Sequence, residues 1–204
     1  MFYLAQTYEC LGLRDKAWET YEKRIAAGGW REEVYESKYR LARLAIADGK
    51  SDEEIEKLYL QAYQYAPHRA EPLYELGHRY WKQGNNAMAF LYAYAAAGMS
   101  LPKTDNLFID YDVYVFKRFE LLGIVAFYVG RHEIGKWAAQ KALDARPEQE
   151  HLKKNLEFYD GSPAALSRKK SPWLLLRIAA PSMLSSRPSL RPKEIHRPFL
   201  RFGL

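Results

Sequence analysis

The strongest constraint on the fold of this chain is a repeated spacing of large and small residues. The frame has an aromatic residue or leucine, then leucine and a small residue after two positions, then tyrosine or alanine after two more. Its two clear copies are Leu73, Leu76, Gly77 and Tyr80, and Phe119, Leu122, Gly123 and Ala126. Residues three and four positions apart share one face of a helix, so each copy predicts an amphipathic helix.

Two weaker copies extend the repeat towards the N-terminus. They are Leu4, Ala5 and Tyr8, and Tyr35, Lys38, Tyr39 and Ala42. When Leu4, Lys38, Leu76 and Leu122 are taken as equivalent, their spacings are 34, 38 and 46 residues. The base period is therefore 34 residues, with about four extra residues in one copy and about twelve in another.

A second apolar pattern follows each copy of the frame, again with residues three or four positions apart. Its members are Ala17 and Tyr21, then Ile55, Tyr59 and Ala62, then Ala89, Ala93 and Ala96, and finally Gly135, Ala139 and Ala142. Between the two halves stand Gly12, Gly49, Gly84 and Gly130, and after the later second halves stand Pro67, Pro102 and Pro147. Glycine permits a left-handed helix end and proline stops a helix, so each unit predicts a helix–turn–helix pair.

The residue sizes indicate how these pairs would pack. Small residues such as Ala5, Gly77 and Gly123 allow two helix backbones to approach closely, while the rings of Tyr21 and Tyr59 fill the space beside them. One pair cannot bury its apolar face alone, so neighbouring pairs must stack. The sequence predicts an all-α fold, an α-solenoid of about four antiparallel helix pairs over residues 1–160.

The repeat frame resembles the tetratricopeptide repeat. A narrower resemblance rests on several strings of residues. They are FYLAQTYECL at Phe2–Leu11, YEKRI at Tyr21–Ile25 with Gly28-Gly29-Trp30, PHRAEPLYEL at Pro67–Leu76, Leu101-Pro102-Lys103 and Asp112-Val113-Tyr114. Over residues 1–159 these look like the helical repeat region found C-terminal to a family 2 glycosyltransferase domain.

This resemblance implies a function. It implies a non-catalytic interaction or scaffolding module, the accessory region of a glycosyltransferase whose catalytic domain would precede residue 1 and is missing from this sequence. The first helix would then begin about three residues late for a full repeat, so we expect an N-terminal truncation. Two alternatives stay open: a part of a catalytic unit that binds a nucleotide sugar, or a groove that binds a glycan or a peptide through Tyr74 and Trp81.

The composition changes near residue 160. Residues 161–204 contain six of the ten prolines and a net charge of +8, whereas residues 1–160 carry a net charge of −2. We expect the second segment to be a largely irregular, disordered tail that is rich in proline, serine and arginine, with a short helix at Trp173–Ala180 or a return of Trp173–Leu176 onto the last repeat. Its Arg168-Lys169-Lys170 run predicts a solvated charge cluster, with weak contact to an acidic surface as the alternative.

The charge distribution and the apolar stretches bear on partners and location. A negatively charged body argues against a nucleic-acid partner. No secretory signal begins the sequence, and the apolar stretches are too short to span a membrane, so no transmembrane segment is expected. A single cysteine suits a reducing compartment, and we expect a cytoplasmic protein.

Candidate chemical groups are few, and we expect no catalytic residue, metal or cofactor. Asp110-Tyr111-Asp112 is a DxD tripeptide of the kind that holds a cation in nucleotide-sugar transferases, but no nucleotide-binding pattern surrounds it, so loop or capping carboxylates are expected. Cys10 is predicted to be a buried core thiol. No histidine has a second ligand at metal spacing; the five are His68, His78, His132, His151 and His196.

A partner would bind to the first helices of the pairs, which line the concave face in such repeats. By helical spacing the candidate positions mix aromatic rings with arginines, a combination that is enriched at protein interfaces. They are Gln6, Glu9, Arg40, Arg43, Tyr74, His78, Trp81, Ile124 and Phe127. We call this set the first-helix strip. The alternative is that several of its members only pack against the next helix.

Overall fold

The structure is a computed structural model that describes residues 1–161. Within this range the chain is all-helical, with nine α-helices and no strand. The helices are α1 (Phe2–Cys10), α2 (Arg14–Ala27), α3 (Arg31–Ala47), α4 (Asp52–Tyr65), α5 (Glu71–Lys82), α6 (Asn86–Ala97), α7 (Arg118–Tyr128), α8 (His132–Ala145) and α9 (Glu150–Glu157). The predictions for the tail and for His196 lie outside the described residues.

The turns inside the four helix pairs share one geometry. Gly12, Gly49, Gly84 and Gly130 all have φ between 67° and 78°. In every turn the residue after the glycine donates its N–H, at 2.8–2.9 Å, to the carbonyl four positions before the glycine. The donor and acceptor pairs are Leu13 and Tyr8, Lys50 and Ala45, Asn85 and Tyr80, and Arg131 and Ala126. This is the Schellman arrangement, so the predicted left-handed turns are confirmed.

The turn glycines also correct the alignment of the second repeat. Ala5, Ala42, Gly77 and Gly123 each lie seven residues before a turn glycine, and all four are buried. Leu41, which is 5% exposed, therefore occupies the place that the sequence analysis gave to Lys38. The prediction was wrong by three residues, because a three-residue shift leaves most of an apolar stripe on the same helix face. The corrected spacings, from Leu4 to Leu41, Leu76 and Leu122, are 37, 35 and 46 residues.

Helices adjacent in the chain make most of the contacts between elements. Gly77 on α5 lies so close to α6 that a Cβ there would stand 3.1 Å from the backbone nitrogen of Ala93. Gly123 on α7 has the same relation to α8, with 3.1 Å to the backbone nitrogen of Ala139. The predicted role of small residues in close helix approach is therefore confirmed for these two pairs.

The core continues from one pair to the next. Ala42 and Ala45 of α3 form one cluster with Ile55 and Tyr59 of α4 and with Leu76 of α5. This cluster buries apolar surface that neither pair could cover by itself, and such burial is the main favourable contribution to folding. None of the helices in residues 1–161 has both the length and the apolar character that crossing a membrane requires.

Helix α1 departs from one expectation. Cys10 is exposed, so the prediction of a buried core thiol is wrong. Cys10 follows the buried Ala5 by five residues, which turns it about 140° away around the helix. Leu4 is also exposed, at 49%.

Helix α9 was not predicted. Its Leu152 is 2% exposed and packs with Phe116 and with Ala142 of α8. Beyond the helix, the Tyr159 hydroxyl donates a hydrogen bond to the carbonyl of Gly123. Helix α9 therefore covers part of the apolar surface of α8 and of the segment that precedes α7.

Candidate interaction surface

The distances to the turn glycines show which residues of the first-helix strip occupy corresponding positions on successive helices. Gln6, Arg43, His78 and Ile124 each lie six residues before a turn glycine, on α1, α3, α5 and α7. Glu9, Trp81 and Phe127 each lie three residues before one, and Arg40 and Tyr74 lie about one turn earlier on their helices. Arg43 is exposed and the other eight members are half-buried. The four helices therefore present corresponding positions with unlike side chains.

At the N-terminal end of the strip, Glu9 and Arg40 contact each other. Arg40 donates from Nη1 to Glu9 at 2.9 Å and from Nε to Glu36 at 2.8 Å. The Tyr21 hydroxyl donates to Glu9 at 2.7 Å, and both burial and this hydrogen bond raise the pKa of Tyr21 above its ordinary value. Glu9 and Arg40 thus join α1 to α3, and their charges are largely satisfied within the chain.

The middle of the strip is a short ladder of rings on α5. The rings of Tyr74 and His78 stack with centroids 5.8 Å apart, and those of His78 and Trp81 are 5.6 Å apart. Burial and the charges of Lys82 and Lys117 lower the pKa of His78 to about 4. His78 is therefore a neutral imidazole near pH 7, and the ladder carries no formal charge there.

Glu75 and Tyr39 lie beside this ladder, and the sequence analysis did not single them out. The Tyr39 hydroxyl donates to Glu75 Oε1 at 3.2 Å, which links α3 to α5. Burial raises the pKa of Glu75 above its ordinary value, against the lowering effects of Tyr39, Arg43 and Lys117. In the sequence Glu75 looks like an ordinary solvated carboxylate, and only the packing of the neighbouring helix reveals that it is covered.

At the C-terminal end, Phe127 is enclosed by other rings. The centroids of His132, Phe158 and Tyr159 lie 5.5–5.9 Å from that of Phe127. The rings of Phe158 and Tyr159 belong to the segment that follows α9, which the repeat pattern did not include. The part of the strip that a partner could reach is therefore its middle, around Arg43, His78 and Trp81, more than its C-terminal end.

The DxD tripeptide is paired within the chain. Lys117 Nζ lies 2.8 Å from Asp110 Oδ2 and 3.5 Å from Asp112 Oδ2. Arg146 forms an ion pair with Asp112, and Asp110 Oδ1 accepts the backbone N–H of Asp112 at 3.1 Å. These contacts fit loop and capping carboxylates, as the sequence analysis expected. Among residues 1–161, no group of three or more histidine, cysteine, aspartate or glutamate side chains is placed to hold a metal ion.

The remaining described histidines lie apart from one another. His68 Nε2 is 2.7 Å from Asp105 Oδ2, His151 Nε2 is 2.8 Å from Glu120 Oε1, and His132 packs on Phe127. Each has a local structural partner.

A second open surface lies between the second helices α6 and α8. It is a groove of about 650 Å³, and its lining is mainly apolar, with Tyr94, Met99, Ile134 and Trp137 among the side chains and Glu133 at one side. Tyr94 and Trp137 are 52% and 46% exposed. This groove was not predicted, because the sequence analysis placed partner contacts only on first helices.

No family model matches this chain, and no curated protein matches it either.

Proposed function

We propose that this chain is a tetratricopeptide-like α-solenoid that acts as a non-catalytic protein-interaction module, the accessory region of a glycosyltransferase. One observation carries the proposal. Four successive first helices place Gln6, Arg43, His78 and Ile124 at one common position, and none of the four is fully buried. A row of unlike, accessible side chains on corresponding positions is how stacked repeats build a binding surface.

The residues of the chain also suit this role through their chemistry. Arg43 is an exposed cationic side chain that is near enough to Glu75, beside the aromatic ladder, to lower its pKa. Arginine together with aromatic rings is the composition that concentrates at protein interfaces. A cytoplasmic location is part of the proposal, and the free Cys10 is compatible with it.

Site-specific photo-crosslinking tests the interaction surface. A photoreactive amino acid is placed at position 43 or 78 of the strip, and at positions 22 or 140 as controls, since Glu22 and Gln140 are exposed on second helices. We expect the two strip positions to capture the same protein, at least about tenfold more than the controls. Equal capture at all four positions would contradict an interaction role for the strip.

The link to glycosyl transfer has its own test. The proposal expects a family 2 glycosyltransferase domain among the captured proteins, and no turnover when this chain alone is given nucleotide sugars. Sugar transfer by the isolated chain would overturn the non-catalytic assignment. Cation-dependent binding of a nucleotide diphosphate that is lost in Asp110→Asn would favour the catalytic alternative, in which Asp110 and Asp112 must first separate from Lys117.

A second candidate is recognition of a glycan, favoured by the ring ladder. Tyr74, His78 and Trp81 present three rings in sequence on one helix face. Binding on a glycan array that disappears in Trp81→Ala would support this candidate over a protein partner.

A further inference from the structure

The insert between the third and the fourth helix pair packs against helices near the N-terminus. It runs from Gly98 to Asp112 and contacts residues far away in sequence. Leu107 packs in the core cluster that contains Phe2, Tyr21 and Leu41. The insert therefore covers part of the surface of α1 and α3, next to the first-helix strip.

Side chains of the body bind the backbone of residues 106–108 of this insert at four points. Glu32 Oε2 accepts the N–H groups of Asn106 and Leu107, at 2.7 and 2.6 Å. The Arg69 guanidinium donates to the carbonyls of Leu107 and Phe108, at 3.4 and 3.1 Å. One carboxylate and one guanidinium thus bind one polar group in each of four consecutive peptide groups, a contact that depends on the backbone and little on the side chains.

Three side chains of the insert occupy separate places on the body. Asp105 contacts His68 at 2.7 Å and Arg69 at 3.4 Å, while Leu107 enters the apolar cluster. The Phe108 ring lies 5.7 Å from the ring of Phe2 and 5.3 Å from the guanidinium of Arg40. The contacts therefore select a carboxylate, then an aliphatic and an aromatic side chain two and three residues later.

The charges suit such a ligand. Burial alone would raise the pKa of Asp105, but the hydrogen bond from His68 and the charges of His68 and Arg69 outweigh it and hold this pKa below its usual range. Arg69 itself is 1% exposed and pairs with Glu71, which is also 1% exposed. Arg69 therefore has a carboxylate partner on the body besides its contacts with the insert.

The middle of the insert, residues 103–108, has no regular secondary structure. Within the described part of the chain, residues 103–108 make no backbone-to-backbone hydrogen bond. Phe108 has a φ of 49°, a left-handed conformation that costs a non-glycine residue about 1 kcal/mol or more. Its ring remains 44% exposed. The segment thus behaves like a bound peptide that is supplied by the chain itself.

We propose that the surface formed by Glu32, Arg40, His68, Arg69 and the Phe2 cluster is a docking site for a partner's peptide segment. Its ligand is a carboxylate followed by an aliphatic and an aromatic residue two and three positions later, and residues 105–108 occupy the site until such a segment displaces them. This inference rests on the proposed interaction function and names the partner's chemistry.

A labelled peptide of residues 103–110 (KTDNLFID) tests the site. It is titrated against an opened chain, in which residues 103–109 are replaced by a glycine–serine linker of equal length. We expect binding to the opened chain, and at least about tenfold weaker binding to the intact chain and to the opened chain with Glu32→Gln. The control peptide carries Asp105→Asn, Leu107→Ser and Phe108→Ser. It should bind the opened chain no better than the unchanged peptide binds the intact chain.

The outcomes separate cleanly. An opened chain that keeps its helical circular dichroism but does not bind the peptide, or binds the control peptide equally, would overturn the proposal. If the opened chain does not fold, the milder Leu107→Ser/Phe108→Ser variant takes its place with the same expectation, and failure of both to fold would make the insert an obligatory part of the core and overturn the proposal too. None of these results affects crosslinking at positions 43 and 78, which tests the proposed function separately.

Discussion

Gly77 and Ala93 lie on neighbouring helices with no room for a side chain between them. A Cβ at Gly77 would stand 3.1 Å from the backbone nitrogen of Ala93, and it would also be 3.3 Å from the carbonyl oxygen of Ala89 and from Leu121 Cδ2. Two of these three atoms belong to the backbone of α6, which can move only if the whole helix moves. The separation of α5 and α6 is therefore set by the absence of a side chain at position 77.

Gly77→Ala should consequently destabilise the protein. Alanine favours a helix over glycine by about 1 kcal/mol, but the clash with α6 should outweigh this and leave a net loss of about 1–3 kcal/mol in the free energy of unfolding. Urea denaturation measures the difference. Gly98→Ala is the matched control, because its nearest atoms are 3.6 Å away and its φ of −75° suits alanine. A loss in Gly98→Ala as large as in Gly77→Ala would contradict the argument.

His78 should make the stability depend on pH. Its pKa is about 4 in the folded chain, below the ordinary 6.5, so the folded state binds its proton less readily than the unfolded state. Above pH 6.5 the free energy of unfolding is unaffected by this proton. As the pH falls towards 4, proton binding to His78 in the unfolded state lowers the free energy of unfolding, by up to about 3 kcal/mol. Denaturation of the wild type and of His78→Gln across pH 4–7 checks this.

Only the difference between these two curves is informative. Glu36 and Glu75 have raised pKa values from burial, and their contribution has the opposite sign, since protonation favours their folded state. Both carboxyls remain in the variant, so their effect cancels in the difference. Parallel curves for the two proteins between pH 4 and 6.5 would show that His78 titrates normally.

Gly135 and Gly123 should respond to alanine to different extents. A Cβ at Gly135 would overlap the ring of Tyr159, a side chain that can swing away, whereas a Cβ at Gly123 would meet the backbone of Ala139 at 3.1 Å. We expect Gly135→Ala to change the free energy of unfolding by about 1 kcal/mol or less, and Gly123→Ala to lower it by about 1–3 kcal/mol.

Hydrogen exchange distinguishes the two variants further. Gly135→Ala should speed amide exchange in α9, because Tyr159 loses its contacts with Gly123 and Phe127, while exchange in α1–α4 stays unchanged. Unchanged exchange in α9 would mean that Tyr159 does not secure this helix.

Arg69 and Glu71 form a buried pair whose rupture should be costly. Arg69→Met leaves Glu71 with the hydroxyl of Tyr114, at 2.8 Å, as its main remaining donor. The expected loss is about 3–5 kcal/mol. The double variant Arg69→Met/Glu71→Leu should recover part of it, because it leaves no unpaired charge. A double-mutant cycle measured by denaturation gives the coupling, and additive losses would contradict a direct interaction.

Parts of this fold could be predicted because their signals are local. The left-handed turn at Gly84 and the close approach at Gly77 each follow from a residue type within one helix pair. The register of α3 could not be predicted with the same certainty. Tyr35, Lys38 and Tyr39 offer nearly the same apolar stripe as Leu41 and Ala42 one helical turn later. The stripe alone does not decide between them; the distance from Ala42 to Gly49 and the contact of Ala42 with α4 and α5 do.

The candidate surface also has features that the sequence predicts and others that depend on the tertiary structure. Helical spacing placed Arg43, His78 and Trp81 on corresponding faces, because that needs only the periodicity of a helix. The burial of Glu75, the enclosure of Phe127 and the exposure of Cys10 depend on which neighbouring elements cover each helix. The first two leave no pattern in the sequence near the residue, whereas Cys10 lies about 140° from Ala5 around α1.

The sequence by itself determined that residues 1–161 form glycine-linked helix pairs with small residues at their contacts, since helical periodicity and turn geometry act over a few residues. Only the tertiary structure decided that the insert returns to α1 and α3, where Glu32 binds the N–H groups of Asn106 and Leu107. Asn106 and Leu107 lie 74 and 75 positions after Glu32 in the sequence. A contact over that separation arises from the stacking of the intervening helices and from the complementary charges that the stacking brings together.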